Sequence, residues 1–345
     1  MSLLSLHEIS KKFPQSKQFA VKDISLEIGE GEILAIVGEN GSGKTTLLKL
    51  IAGMEHPDSG RIISSGQTIV NGKTATPANQ RGVGVVFEDY ALFPQMNILE
   101  NVRCALHQQE KNAKQIAKDS LALVGLEDSF GAYPHQLSSG QRQRAALARA
   151  LASRPKLLLL DDPFKSLDTR FKNEISEDLR DIVKTSGVTT IFASHHAKDA
   201  LSVADRIAIL HKGKLQQVDD PVNIYKSPAN AYVANFFGKR NEIIATPTED
   251  GFYSGFGFIP DPNSKNYTEK VKILFRSEDA KIKKSTEQPL SGEVVRTLYY
   301  GDHQIVKLVD DEGRQISIKA APNRNFVKND RMFFTIGKYE IEEAF

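Results

Sequence analysis

The sequence predicts an α/β fold, with a mostly parallel sheet flanked by helices, followed by a second domain made of strands alone. Three observations carry this expectation. From the start to about Phe237, apolar runs alternate with helical patterns: "GEILAIVG" at 31–38, "LLLL" at 157–160, "VTTIFAS" at 188–194 and "RIAILHKG" at 206–213. Continuous apolar runs suit strands covered on both faces, and their alternation with helices suits a parallel sheet. After "FFGKR" the pattern changes to short runs such as "VKILF", "GEVVRTLYYG", "HQIVKLV" and "QISIKA", separated by Gly, Asp, Asn and Pro. Several short strands within about 100 residues suit a small barrel or sandwich. Finally, 345 residues exceed one typical core, so two domains are expected, at 1–237 and 238–345.

The earliest segments, "FAVKDISLEI" and "GRIISSGQTIVNGK", alternate by twos and carry turn residues, so an antiparallel portion is expected beside the parallel core. The strand "EILAIV" then leads through "GENGSGKTT" (38–46) into the helical run "LLKLIAG". Between Glu88 and Arg154 helix-forming residues dominate, which predicts a helical insertion over about 88–154. "LLLLDD" returns to the sheet, with carboxylates at the end of the strand where an open α/β sheet presents a ligand site.

Composition narrows the function classes. Lys and Arg number 45 against 43 Asp and Glu, for a formal charge of +2 without a long run of one sign. That balance argues against a nucleic-acid partner. The lone Cys104 forms no internal disulfide and reads as a small buried apolar residue. No apolar stretch reaches the ~18–20 residues that cross a bilayer, and "MSLLSLHEIS" lacks the features of a secretory signal. A soluble, cytoplasmic chain is expected.

The strongest chemical signal is "GENGSGKTT", which matches G-x-x-x-x-G-K-[ST] in the strand–loop–helix setting that the motif requires. Gly38, Gly41 and Gly43 let the backbone curl so that amide N–H groups point at phosphate oxygens, at a helix N-terminus whose dipole favours anions. Lys44 would reach the terminal phosphates. Thr45 offers a hydroxyl to Mg²⁺, and Asp161 would hold that ion directly or through water. A second helix N-terminus suited to an anion is expected at "LSSGQRQRAALARAL", 137–151.

Together with "VFEDYALFP" (86–94), "KSLD" (165–168) and "SHH" (194–196), in that order, these fragments resemble the ATP-binding subunits of ABC transporters over about residues 3–237. The tail resembles the β-rich, OB-like accessory domain of importer-type members, those handling sugars, polyamines, molybdate, sulfate or ferric iron. The resemblance implies a P-loop NTPase core with a helical subdomain and an antiparallel β subdomain. Its implied function is ATP hydrolysis that energises import of a small solute through separate membrane permease subunits. A solute-binding protein belongs to such systems, and the chain is expected at the cytoplasmic face of the membrane, held there by the permease. Phe13 matches the position of an aromatic ring stacked on adenine, with a turn or core phenylalanine as the alternative. The loop from Gly38 to Thr46, Asn40 and Ser42 included, would bind the phosphates. Ser138, Ser139, Gly140 and Gln141 match the signature that closes over ATP held by another subunit, which implies a dimer with ATP at its interface. Asp168 matches the acid that lines this interface, and His195 the histidine that contacts the γ-phosphate. Metal binding by His195 and His196 is disfavoured, because adjacent strand residues point to opposite faces and no further ligand cluster joins them.

The chain departs from the family pattern at three positions: Glu88 stands for the usual glutamine, Ser139 for glycine and Asp162 for glutamate. The glutamine position touches the metal and the attacking water, so Glu88 adds negative charge beside the phosphates and becomes a candidate Mg²⁺ ligand. Asp162 would be the base that polarises water, but its side chain is shorter by one methylene. A misplacement near 1 Å costs on the order of 10²-fold in rate, so turnover should suffer more than binding. Two competing readings follow. A nucleotide-dependent switch with little hydrolysis is compatible with both substitutions, whereas a soluble ABC ATPase acting on nucleic acid or ribosomes would show coiled-coil insertions or two fused cassettes. Within "EDYALFPQMNILENV" (88–102), Leu92, Phe93, Met96 and Ile98 are candidates either for docking a permease helix or for packing the helical subdomain.

Overall fold

The computed structural model describes residues 2–72, 74–107, 110–165, 172–283 and 290–344. The chain divides into two compact units, Met1–Phe237 and Gly238–Phe345.

The first unit begins with β1 (Ser2–Lys11) and β2 (Val21–Gly29), then β3 (Ile33–Val37), α1 (Lys44–Ala52), β4 (Ser59–Ser64), β5 (Gln67–Asn71), β6 (Thr74–Ala75) and β7 (Val83–Val86). The helical insertion follows as α2 (Ile98–Arg103), α3 (Ala113–Leu123) and α4 (Ser139–Ala152). The chain returns to the sheet with β8 (Leu157–Asp161), α5 (Lys172–Ser186), β9 (Thr189–Ser194), α6 (Ala197–Val203), β10 (Arg206–His211), β11 (Lys214–Asp219), α7 (Pro221–Lys226) and α8 (Ala231–Phe236). Among the described residues these strands form two sheets, an antiparallel one in the order β2-β1-β4-β5-β6 and a larger one in the order β11-β10-β3-β9-β8-β7. The larger sheet is parallel from β10 to β7, and β11 joins its edge antiparallel to β10.

Two cores cover the two faces of that sheet, which is why β3 and the leucine run of β8 are apolar at successive positions. On β3, Ile33, Ala35 and Val37 enter one core with residues of α4, α5 and α6. Leu34 and Ile36 enter the other, with α1 and the antiparallel sheet. The same alternation sends Leu158 and Leu160 one way and Leu157 and Leu159 the other. Each such side chain, fully buried, contributes about 1.5–3 kcal/mol by leaving water. Period-two alternation with both faces covered is the physical content of the four-leucine run.

Asn101 organises the entry to the helical insertion. It is fully buried; its Oδ1 accepts from Phe93 N–H at 2.8 Å and its Nδ2 donates to the carbonyls of Phe93, Met96 and Asn97. Tyr90 and Ala91, just before it, take positive φ values of 62° and 44°, a conformation that costs non-glycine residues on the order of 1 kcal/mol each. Arg149 of α4 holds both carbonyls, with Nη1 donating to Ala91 O at 2.6 Å and Nη2 to Tyr90 O at 2.9 Å.

The second unit contains β12 (Asn241–Pro247), β13 (Gly251–Ser254), β14 (Gly257–Pro260), β15 (Val271–Phe275), β16 (Ala280–Lys283), β17 (Leu290–Tyr299), β18 (Gln304–Val309), β19 (Gln315–Ala320), β20 (Arg331–Ile336) and β21 (Glu340–Glu343). Among the described residues they make two antiparallel sheets, ordered β14-β13-β12-β15-β21 and β16-β20-β17-β18-β19. Ile243, Phe252 and Phe275 from the first sheet and Val294, Val306 and Phe334 from the second share one core.

One expectation is corrected here, and one of two open readings is selected. Cys104 is exposed, not buried. It follows a six-residue α2 whose inward face is already taken by Ile98, Asn101 and Val102, and its Sγ donates to Asn101 O. Ile98 is fully buried in the helical-subdomain core, so of its two readings internal packing holds.

Candidate nucleotide site

The carboxyl ends of four neighbouring parallel strands, β3, β9, β8 and β7, gather the candidate residues, as expected where an open α/β sheet presents a ligand. The loop from Gly38 to Gly43 leaves β3 and enters α1. Its glycines are sterically required at two points. A Cβ on Gly38 (φ 155°) would lie 2.2 Å from Leu210 O and 2.6 Å from Ser42 Oγ, and one on Gly43 (φ 107°) would lie 2.3 Å from Ala20 O. Helix α1 starts at Gly43 without a side-chain cap, and Ser42 Oγ is buried with no hydrogen-bond partner among the described residues. Uncapped N–H groups and an orphaned buried hydroxyl together favour an oxygen-rich anion.

Lys44 Nζ donates to the carbonyls of Gly38 at 2.8 Å and Glu39 at 3.0 Å, so the lysine folds back over the loop. Burial lowers its pKa, while the Asp162 and Asp161 carboxylates act the other way. A cation desolvated in this manner gains most from an incoming anion. Thr45 Oγ1 donates to Asp161 Oδ1 at 3.0 Å, tying α1 to the end of β8. Burial raises the Asp161 pKa; the Thr45 hydrogen bond opposes this, and the Asp162 and Glu88 charges add to it.

Asp162 turns the chain out of β8 at φ 45° and donates its N–H to Ala193 O of β9 at 3.0 Å. Its Oδ1 accepts from His195 N–H at 3.3 Å and lies 2.8 Å from His195 Nδ1. The acid and the histidine are therefore one unit across the ends of two strands. Glu88, two residues past β7, lies with Oε1 at 2.6 Å from Lys165 Nζ. Asn40 and Gly41 are exposed at the loop tip, and Thr46 is half-buried in the first turn of α1. Phe13 is half-buried after β1, with Lys11 Nζ 5.5 Å from its ring centroid.

His195 and His196 do not point to opposite faces, because β9 ends at Ser194 and His196 is already the N-cap of α6. Ser194 Oγ accepts from His196 N–H at 3.0 Å, and the two rings lie 3.9 Å apart at 41°. The period-two rule failed one residue past the strand to which it applies.

Ser138 is the N-cap of α4: its Oγ accepts from Gln141 N–H at 3.2 Å while Gln141 Oε1 accepts from Ser138 N–H at 3.0 Å. Ser139 is half-buried, and Gly140 is buried with a would-be Cβ 3.0 Å from Ile175 Cδ1. Among the described residues no hydrogen bond or ion pair joins 138–141 to the phosphate loop, so this group stands apart from the other candidates within one chain. Asp168 lies outside the described residues. Sequence reasoning missed Arg149 and Lys165, whose partners are set by tertiary structure, and Asn101, whose partners are loop groups 4 to 8 positions before it.

The family profile described as "ABC transporter" matches residues 21–165. The chain is 37% identical over 307 residues to the Fe(3+) ions import ATP-binding protein FbpC 1 of Rhizobium meliloti (strain 1021), covering 83% of this chain and 84% of that protein. It is 38% identical over 313 residues to the spermidine/putrescine import ATP-binding protein PotA of Protochlamydia amoebophila (strain UWE25), covering 86% and 82%. Among solved structures, CbiO1 of Clostridium perfringens, part of the ABC transporter complex CbiONQ, superposes with a TM-score of 0.59 at 28% identity, covering 65% of this chain and 90% of that one. A dimeric post-hydrolysis state of the ATP-binding cassette MJ0796 bound to ADP and Pi gives 0.54 at 27%, covering 63% and 98%.

Proposed function

We propose, from the premise that this chain belongs to the ABC transporter family of ATP-binding subunits, how its residues divide the work of an import ATPase. The chain binds and hydrolyses ATP to energise solute import through membrane permeases. The observation that carries the site assignment is the convergence of the phosphate loop, the Thr45–Asp161 pair and the Asp162–His195 pair at neighbouring strand ends.

The amides of 38–46 and Lys44 hold the phosphates, with Lys44 exchanging its two carbonyl partners for phosphate oxygens. Mg²⁺, when bound, would be held by Thr45 and Asp161, with Glu88 within electrostatic reach, and would neutralise charge on the phosphates. Asp162 accepts a proton from the attacking water. His195 is oriented by Asp162 and steadies the γ-phosphate. Phe13 stacks on the adenine. The capped N-terminus formed by Ser138, Ser139, Gly140 and Gln141 faces the nucleotide of a second copy, and Asp168 lines that interface. A homodimer, a solute-binding protein in the same system and a peripheral position at the cytoplasmic face complete the assignment. The relatives named above are import ATP-binding proteins, and a separate membrane permease is assigned here as the partner on that likeness.

Docking to that permease is assigned to the loop ahead of α2. Phe93 is 43% exposed, Met96 is half-buried and Leu92 packs at the edge of the core, all on the segment that Asn101 pins. The relatives named above are import subunits, for iron and for spermidine or putrescine, and the same class of small solute is proposed here. Cysteines placed at Phe93 and Met96 should crosslink a membrane subunit encoded beside this gene. A folded, ATP-hydrolysing variant that captures no membrane subunit in membranes contradicts the docking assignment.

A further inference from the structure

We propose that Lys165 is a positioning residue of the nucleotide site, acting through Glu88: its ammonium neutralises the Glu88 carboxylate so that a polyanionic nucleotide can settle beside three acids. The inference rests on the nucleotide-site reading above. Lys165 and Glu88 lie 77 positions apart in sequence, on the segments that follow β8 and β7. Those strands are parallel neighbours, with Val86 opposite Leu160, so their ends emerge side by side and the Nζ and Oε1 atoms meet at 2.6 Å.

The electrostatic setting gives the pair its purpose. Glu88 and Asp162 both act on Asp161, and Asp161, Asp162 and Glu88 all act on Lys165. Among the described residues, the carboxylates of Asp161, Asp162 and Glu88 are opposed here by the ammoniums of Lys44 and Lys165 and, at Asp161, of Lys49. Removing Lys165 takes away the cation at 2.6 Å from Glu88, and an incoming triphosphate then meets that carboxylate without this counter-charge. Glutamine is the residue usual at position 88 in the family that this chain resembles, and it needs no such counter-charge. A charged Glu88 does, and Lys165 supplies it. The pair also links the loop after β7, which leads through the strained Tyr90 and Ala91 into the helical subdomain, to the loop that carries Asp162.

Both side chains are half exposed, at 50% and 48%, so solvent weakens the effect. Exposed pairs of this kind change affinity by roughly two- to five-fold. The test is calorimetric titration of the full chain with Mg²⁺ and an imido-bridged, non-hydrolysable ATP analogue, at low and high salt. Lys165→Gln should weaken binding by about two- to five-fold at low salt, and less at high salt. Lys165→Arg should keep wild-type affinity, and Glu88→Gln alone should tighten binding. Adding Glu88→Gln to Lys165→Gln should restore affinity, because neither charge is then left over. The proposal is overturned if Lys165→Gln binds like wild type, or if the double variant stays as weak as Lys165→Gln. Thermal melts check folding; should Lys165→Gln not fold, unchanged affinity in Glu88→Gln overturns the proposal instead. A wild-type chain that binds no nucleotide overturns the site reading itself, and normal wild-type binding with indifference to both substitutions overturns this inference alone.

Discussion

At the scale of single residues, the phosphate loop and Asp162 show two different kinds of constraint. Gly38 has no room for a methyl group, since its Cβ would sit 2.2 Å from the Leu210 carbonyl. Gly38→Ala should destabilise the fold by on the order of 1–3 kcal/mol and lower nucleotide affinity at least tenfold, measured by thermal unfolding and calorimetry. Normal binding by that variant would contradict the cradle described here. In the proposed site, Asp162 is limited by reach. Its carboxylate is anchored to His195, and a glutamate in its place would extend by about 1.5 Å. Asp162→Glu should raise kcat with little change in affinity for the ATP analogue; a lower kcat would mean that the turn at φ 45° already brings the aspartate far enough forward. The glycines were legible in the sequence because their spacing is local. Lys165 was not, because its significance depends on Glu88, 77 positions away, and only the parallel pairing of β7 with β8 brings them together.

Elements were legible where one periodicity ran for a whole strand or helix, as in the two-faced burial of β3 and β8. They were illegible at their ends. The histidines after β9 changed rule when the strand stopped at Ser194, and Cys104 fell off the buried stripe of a helix only six residues long. One element junction also holds a pH-sensitive carboxyl. Asp205, between α6 and β10, accepts from Arg180 at 3.0 Å and Lys184 at 2.5 Å on α5 and from Ile33 N–H at 2.9 Å on β3. Burial pushes its pKa up, but the hydrogen bonds from Lys184, Ile33 and Arg180 outweigh it and the net shift is downward. A carboxyl with a depressed native pKa adds stability above its unfolded value of about 3.9, and that stability is lost as pH falls through the native value. Asp205→Asn should therefore cost roughly 1 kcal/mol at neutral pH and flatten the acid limb of a stability-against-pH curve below about pH 4. An unchanged acid limb would contradict this role.

For the whole molecule, the two units differ in kind: Met1–Phe237 carries the proposed nucleotide site on a mostly parallel sheet, and Gly238–Phe345 is, among the described residues, a pair of antiparallel sheets around one core. The compositional change after "FFGKR" was enough to anticipate a separate β-rich region, whereas the pairing order of its strands was not, because turn-rich short runs do not encode which neighbours they choose. Within one chain, no hydrogen bond joins the phosphate loop to the Ser138–Gln141 cap among the described residues, and in the proposed homodimer a second copy brings the two together. In that proposed dimer, ATP brings two chains together and Asp162 then limits how quickly they part. Light scattering of the Asp162→Asn variant with Mg²⁺ and saturating ATP tests it most directly, because the slowed chemistry leaves the closed form time to accumulate. A mass that doubles on adding nucleotide, and fails to double when Lys44→Ala or Ser138→Ala is added, is the predicted result; a chain that remains monomeric at saturating ATP contradicts it.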